Sequence, residues 1–291
     1  MSTIPLEQNF DKIVIRGFQE YRDILKRKED SSLEIISETD FIFRGQANPY
    51  WPLASSYYRL YHKYKSAGIQ CPSENQMMDA FREGFKRKFE DLKEKEIIFK
   101  IISDPNNKKK DLEALVLMQL HGACTRLLDF THSAYVALYI AAKDMNMNPY
   151  NSGVFHFAVF AVNKKMISED ERELCFDLKK YEEIDYKDSY SLHSFKPCEE
   201  IKNTVLRCRQ QESVFIYIEN PLTNINHRFI IENNWNILRG NKSDLIKIEF
   251  WLDLNAYKDL MINLNNKGCS EDKLFPGEDG FCRSLNSFIT S

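Results

Sequence analysis

Between Gln119 and His132 the chain places Gln119, His121, Thr125, Arg126, Asp129, Thr131 and His132 within fourteen positions, flanked by apolar stretches. A carboxylate, two imidazoles, two hydroxyls and a guanidinium so close together could serve acid–base chemistry or orient a polar ligand. A second candidate is Arg44-Gly45-Gln46, directly after the apolar run Phe41-Ile42-Phe43. A fixed cation beside a glycine at a strand end suits an anion; the alternative is an arginine paired with a core carboxylate. A third is Gln210-Gln211-Glu212, just before the apolar run Val214 to Ile218.

Several chemistries find no support in the residues. The six histidines are scattered, and there is no HExxH, HxH or Cys/His cluster, which speaks against zinc. No GxSxG elbow, Walker loop or GxGxxG is present. Cys124 and His121 could form a thiol–imidazole pair, but they stand three residues apart across an expected helix end, which favours a structural Cys124.

Composition bounds the rest. With 291 residues, 43% hydrophobic and 29% charged, the chain can bury a sizeable core. A net charge of -3 argues against tight charge-driven nucleic-acid binding by the whole molecule, though not against a local basic patch. Seven cysteines without a CxxC pair, and an N-terminus without a signal-like pattern, read as reduced thiols in a cytoplasmic protein. No apolar run approaches the ~20 residues of a membrane helix.

The elements that must position these groups follow from periodicity. Ile13, Ile15, Phe18, Tyr21 and Leu25 predict an amphipathic helix from after Pro5 to about Lys28. Phe41 to Phe43 reads as a buried strand ending at Arg44-Gly45-Gln46. Ala47 to Leu53 reads as loop, and the aromatic-rich stretch from Ser55 to Tyr61 as a pocket wall or a packed helix. Ser73 and Gln76 predict a capping box opening a long helix through Met77, Phe81, Phe85, Phe89 and Leu92, ended by Asp104-Pro105. Asp111 is expected to cap the next helix, which Gly122 terminates. Thr125 to Phe130 reads as a strand turned by Thr131-His132-Ser133 into an alanine-rich helix. Gly153 to Val162 reads as a central strand, with His156 a core or pocket-wall residue. Residues 163–200 read as a helical and loop excursion centred on Ser168 to Asp177. Val214 to Ile218 reads as another strand. Leu245 to Phe250 alternates and reads as an edge strand; Asp253 caps a last helix, and Leu274-Phe275-Pro276 begins a tail packed on the body. The fold class expected is α+β, a mixed central β-sheet surrounded by helices.

Phe43-Arg44-Gly45-Gln46, the block from Gln119 to Thr131, Gln211 with Phe215, and Leu274-Phe275-Pro276 together resemble the FRG-domain family. That family is marked by aromatic-Arg-Gly, by Gln-His-x-Gly-x-Pro-Thr-Arg-Leu-Leu-Asp-Trp-Thr, by Gln-x-Gly-x-Phe and by Leu-Phe-Pro. Here Leu120, Cys124, Phe130 and Ser213 depart from it. The resemblance implies one FRG domain over 1–291, with a motif-bearing core at 41–280 after an N-terminal helix at 1–30.

The motif order also resembles, more distantly, the ADP-ribosyltransferase fold. That resemblance implies an NAD-dependent ADP-ribosyltransferase-like enzyme of toxin or phage-defence type, bacterial in setting. In it Arg44, Gly45, Gln46, Thr125, Arg126, Thr131 and Tyr57 (or Tyr58) would contact the nucleotide. Glu212, Gln211, Asp129 and His121 would be the catalytic candidates, with NAD as substrate and no metal. Because the FRG marks stress Gln211 and not Glu212, Asp129 competes with Glu212 as the essential carboxylate. Two alternatives stay open: a non-catalytic nucleotide- or ligand-binding module, and a hydrolase or nuclease using Asp129 and His121. A buried structural network of Arg44, Asp129 and Gln211 is a further reading.

Overall fold

The computed structural model describes residues 11–25, 36–89, 93–104, 109–143, 153–167, 192–218 and 244–276. The expectations for residues 1–10 and 26–30, for Leu92 and for 168–177 lie outside them, as do the side chains of Phe85 and Phe89. The architecture is α+β: a seven-stranded mixed sheet flanked by helices.

The strands are β1 (Asp11–Ile15), β2 (Phe41–Gln46), β3 (Leu128–Thr131), β4 (Phe155–Asn163), β5 (Leu192–Phe195), β6 (Ser213–Ile218) and β7 (Leu245–Leu252). Their spatial order is β1-β7-β4-β2-β3-β6-β5. β1 pairs parallel with β7 and the remaining pairs are antiparallel. β4 is interior, as its unbroken apolar run predicts. The β2–β3 junction is thin: Phe43↔Thr131 is its one registered pair, while β2 and β4 are in register over all of Phe41–Gln46. The sheet is therefore two half-sheets joined at a seam.

Helix α1 (Phe18–Leu25), α6 (Ala134–Lys143) and the helix Leu254–Asn266 cover one half, burying Phe43, Phe157, Ile248 and Phe250 beneath them. Helices α3 (Glu74–Phe89), α4 (Lys93–Ser103) and α5 (Lys110–Leu120) enclose a second cluster with Phe195, Phe215 and Tyr217. Helix α2 (Ser56–Ser66) follows β2.

Several local signals hold. Ser73 N donates to Gln76 Oε1 at 2.9 Å and Gln76 N to Ser73 Oγ at 3.2 Å, the reciprocal bonds of a capping box. Asp253 accepts from Ala256 N at 2.8 Å. Gly122, at φ +89°, ends α5.

Other expectations are corrected. Ile13 and Ile15 lie not in a helix but in β1; three consecutive β-branched residues find partners in β7, and the helix starts only after Gly17. β2 ends at Gln46, so Arg44 lies inside the strand and not just past its end, and Gly45 permits contact rather than a bend. A Cβ there would lie 2.0 Å from the Ala137 carbonyl oxygen of α6. The helix expected from Ser73 to Asp104 is two helices, α3 and α4, and Arg82 Nε of the first donates to the Ile102 carbonyl of the second at 3.1 Å. Asp111 does not cap α5, which begins at Lys110; it pairs with Arg82 Nη2 at 2.7 Å. Leu192–Phe195 is a strand within the expected excursion.

β7 is not an edge but lies between β1 and β4. The alternating Lys247 and Glu249 suggested a solvated face, yet both are buried and paired. Lys247 Nζ stands 2.6 Å from Glu249 Oε1, and Lys12 Nζ 2.8 Å from Oε2. Burial works to raise the Glu249 carboxyl, but hydrogen bonds from Lys12 and Lys247 outweigh it and hold it at about 2. His156, expected as a core or pocket-wall residue, stacks on Trp251 and reaches the same carboxylate at 3.4 Å.

Candidate functional site

The site forms where the seam opens. The strand expected from Thr125 begins only at Leu128, because the preceding backbone donors are taken by side chains. Thr125 N donates to Ser56 Oγ at 2.9 Å, Arg126 N to Glu74 Oε1 at 2.7 Å, and Leu127 N to Thr125 Oγ1 at 3.2 Å. With those bonds committed, 125–127 cannot join the ladder and instead run past the N-terminus of α2. Tyr57 N and Ser56 Oγ both donate to the Thr125 carbonyl, at 3.0 and 3.2 Å.

The result is a pocket of about 230 Å³. Its walls are Arg44 of β2, Ala54 to Ser56 and Arg59 around the start of α2, Gln119 and Gly122 to Cys124 at the end of α5, and Leu127 to Asp129. Arg44 Nη1 crosses the seam to donate to the Asp129 carbonyl at 2.6 Å. Arg59 Nη1 donates to the Ala54 carbonyl at 2.7 Å. Among the described residues each guanidinium is thus fixed by one frame carbonyl, with its remaining donors uncommitted and no carboxylate ion pair. Arg44 Nε is buried without a hydrogen-bond partner. Burial lowers the Arg44 pKa; the Asp129 charge opposes this and the nearby Arg59 charge adds to it. The amides of α2 are not part of an anion cradle, since Tyr58 N is capped by Ser55 Oγ at 3.1 Å.

The Asp129 carboxylate is oriented from the other side. Gln119 Nε2 donates to Asp129 Oδ1 at 2.7 Å, and Gln119 Oε1 accepts from Thr125 Oγ1. The carboxylate accepts, so the amide turns its NH2 to Asp129 and leaves its oxygen to accept from the Thr125 hydroxyl. Asp129 is exposed, and among the described residues its Oδ2 has no hydrogen bond.

The structure therefore brings together Arg44 and Asp129, with Thr125 behind them through Gln119. The other candidates lie elsewhere. Arg126 is fully buried; its Nε reaches Glu74 Oε2 at 2.6 Å, so it is an internal ion pair. Gly45 lies under α6, and Gln46 is buried at the end of β2. Tyr57 is buried, with its hydroxyl on the Pro72 carbonyl. Thr131 Oγ1 accepts from Ser133 N at 3.0 Å, at the start of α6. His121 is exposed at the C-cap of α5 and does not line the pocket, whereas Cys124 does. Gln211 Nε2 donates to the Leu274 carbonyl at 2.9 Å, so two of the motifs meet each other away from the pocket. Glu212 is exposed, at φ +48°, and its carbonyl accepts from His132 N at 3.4 Å. Among the described residues no group of His, Cys, Asp and Glu is arranged to hold a metal. Cys71, Cys124, Cys198, Cys208 and Cys269 are free thiols.

The sequence reading placed Arg59 after the aromatic-Arg-Gly mark and Gln119 in the polar block, but gave neither a role at the site. Gln119 stood inside the densest polar block, and Arg59 lay one turn into a helix that opens on Ser55-Ser56; those were the available signals.

Residues 39–149 match the family model of the FRG domain. This chain carries an FRG domain. Every residue lining the pocket falls inside the matched segment, while Gln211 and Glu212 fall outside it. Neither the curated proteins nor the solved structures provide a match. Within the FRG domain, the aromatic-Arg-Gly mark supplies the cation and the Gln119–Thr131 block supplies the carboxylate that faces it. Among the described residues no helix is long and apolar enough to cross a membrane.

Proposed function

We propose that this FRG domain is an ADP-ribosyltransferase-like site that binds NAD at Arg44 and Arg59 and uses Asp129 in cleaving its glycosidic bond. The observation that carries the reading is the pairing of two pre-oriented guanidinia, free of carboxylate partners, with an oriented carboxylate in one pocket. Guanidinia in that state suit a diphosphate, which can accept from several donors at once. A carboxylate with a free oxygen suits the positive charge that develops on a ribose as nicotinamide leaves. The pocket is smaller than the ~300–1,000 Å³ that encloses a whole small ligand, so it would hold a phosphate and ribose while the bases lie across its rim. Asp129 replaces Glu212 as the preferred carboxylate in this reading, because only Asp129 shares the pocket with Arg44. A toxin-like or phage-defence setting is where such an activity would act.

A non-catalytic nucleotide-binding module is the second reading. It is favoured by the Arg44–Asp129 carbonyl bond, which gives Arg44 a structural task as well. Incubation with NAD labelled in the adenylate part separates the two. The transferase reading expects nicotinamide release that Asp129→Asn abolishes while binding persists, and that Glu212→Gln leaves intact. Loss of release in Glu212→Gln overturns the choice of carboxylate. Binding without release leaves the module, and a folded wild type that neither binds nor consumes NAD ends the NAD reading.

A further inference from the structure

Helix α2 has an unusual composition for a surface helix of an acidic chain: Ser-Tyr-Tyr-Arg-Leu-Tyr-His-Lys-Tyr-Lys-Ser, with no acidic residue among its 11. Tyr57 is buried, and helical geometry turns Leu60 and Tyr64 to the same side. Arg59, His62, Lys63 and Lys65 are exposed. Among the described residues neither Lys63 nor Lys65 has an ion pair, and Lys65 Nζ lies 5.9 Å from the Tyr61 ring centroid. The Tyr58 and His62 rings lie 4.3 Å apart, and Tyr61 meets His62 edge-on at 5.6 Å. The same helix carries Arg59 into the Arg44 pocket. The loop entering it presents two more exposed aromatics, Tyr50 and Trp51, 66% and 57% accessible. Trp51 is four residues from the Ser55 cap, so chain reach keeps it within ~14 Å of the helix start.

We infer that the outer face of α2, with Trp51, binds single-stranded nucleic acid. Uncompensated cations meet a phosphodiester backbone, and half-exposed rings between them offer stacking surfaces that every base can use. The face demands a polyanion with flat apolar groups, which an acidic peptide or an anionic bilayer lacks. A net charge of -3 for the whole chain makes this a local patch, so binding is modest and salt-sensitive. A strand lying along α2 would meet Arg59 at the pocket mouth; the surface does not depend on what the pocket itself binds.

The test is fluorescence anisotropy of the full chain with an end-labelled oligo-uridylate, repeated over a salt series. With Arg59, Lys63 and Lys65 engaged, the slope of log K against log salt is expected near -2, from about -0.7 per cation on single strands. Lys63→Gln with Lys65→Gln should bring it to about -0.7 and weaken binding at low salt by about ten-fold or more. His62→Ala should weaken binding by about five-fold or more without changing the slope. All three positions are exposed, and unchanged thermal melts will show that the variants fold. No binding at low salt overturns the inference, as does binding that the double lysine variant leaves unchanged. Equal affinity for a duplex, or tighter binding to a poly-glutamate peptide or to phosphatidylserine vesicles, overturns it too. NAD binding is measured separately on the same variants, so failure here and failure of the pocket reading are distinguishable.

Discussion

Gln119 Nε2 donates to Asp129 Oδ1 at 2.7 Å, and the Thr125 hydroxyl donates to the other end of the same amide. A threonine that touches no pocket surface thereby sets the direction in which an exposed carboxylate points. Gln119→Leu removes both bonds but leaves Asp129 free to rehydrate. We expect a stability loss of about 1 kcal/mol by thermal unfolding. NAD consumption should fall by at least ~10-fold, because misorientation at the reacting centre is felt steeply. Equal turnover in wild type and variant would remove Gln119 from the site.

The Glu74–Arg126 pair holds the bend that exposes the pocket, and both side chains are almost fully buried. Glu74→Gln takes a charged partner from the buried Arg126 guanidinium, and a cost of up to about 3–5 kcal/mol is expected from denaturant unfolding. Glu74→Leu with Arg126→Met, which removes both charges, should recover a substantial part of that loss. A single variant as stable as wild type would show that water reaches the pair.

Gly45→Ala places a methyl 2.0 Å from the Ala137 carbonyl and 2.7 Å from the Ala141 amide nitrogen. Neither is a flexible side-chain end, so α6 must move off β2. The expected loss is at least about 3 kcal/mol, at or beyond the upper end for overpacking. A variant melting within a few degrees of wild type would refute the contact.

Glu113 supplies a pH dependence. It is buried on α5, with Oε1 accepting from Cys198 N at 3.0 Å and Oε2 without a partner. Burial raises its carboxyl to about 7, against the lowering effect of the Cys198 hydrogen bonds. Its folded pKa is above its unfolded value, so the native state holds the extra proton. The associated stability is complete below about 4.5 and is lost as pH rises through about 7. The full span is at most about 3 kcal/mol. Glu113→Gln should flatten stability over that window and raise it at pH 8; an unchanged profile would exclude Glu113 as its source.

Local chemistry was legible in the sequence where bonding is local. Ser73 with Gln76, Asp253 with Ala256 and Gly122 after α5 involve partners within a few residues, and each was found where its residue type placed it. The interior strand β4 could be read because its burial on both faces leaves an unbroken apolar run. β1 could not, since Ile15 continues at helical spacing into Phe18 and Tyr21; β7 was legible as a strand but not as an interior one, since Lys247 looks solvated until Glu249 is known to face it. In the site, Arg44 and Asp129 were legible from the motifs, and so was their sharing of one site; the backbone route that joins them was not. It depends on Glu74, 52 residues before Arg126, drawing the backbone aside. Arg59 was silent for a similar reason: nothing near it in the chain says that its helix starts at the seam.

The single rung between Phe43 and Thr131 has a thermodynamic consequence. Arg44 belongs to one half-sheet and the carbonyl it grips to the other, so the guanidinium proposed to meet a ligand is also a rivet across the seam. Any molecule that draws Arg44 toward itself shares that cation with the rivet. Ligand affinity and the separation of the half-sheets are then linked functions of each other, and reciprocity requires that whatever widens the seam alters affinity by the factor with which the ligand alters the seam.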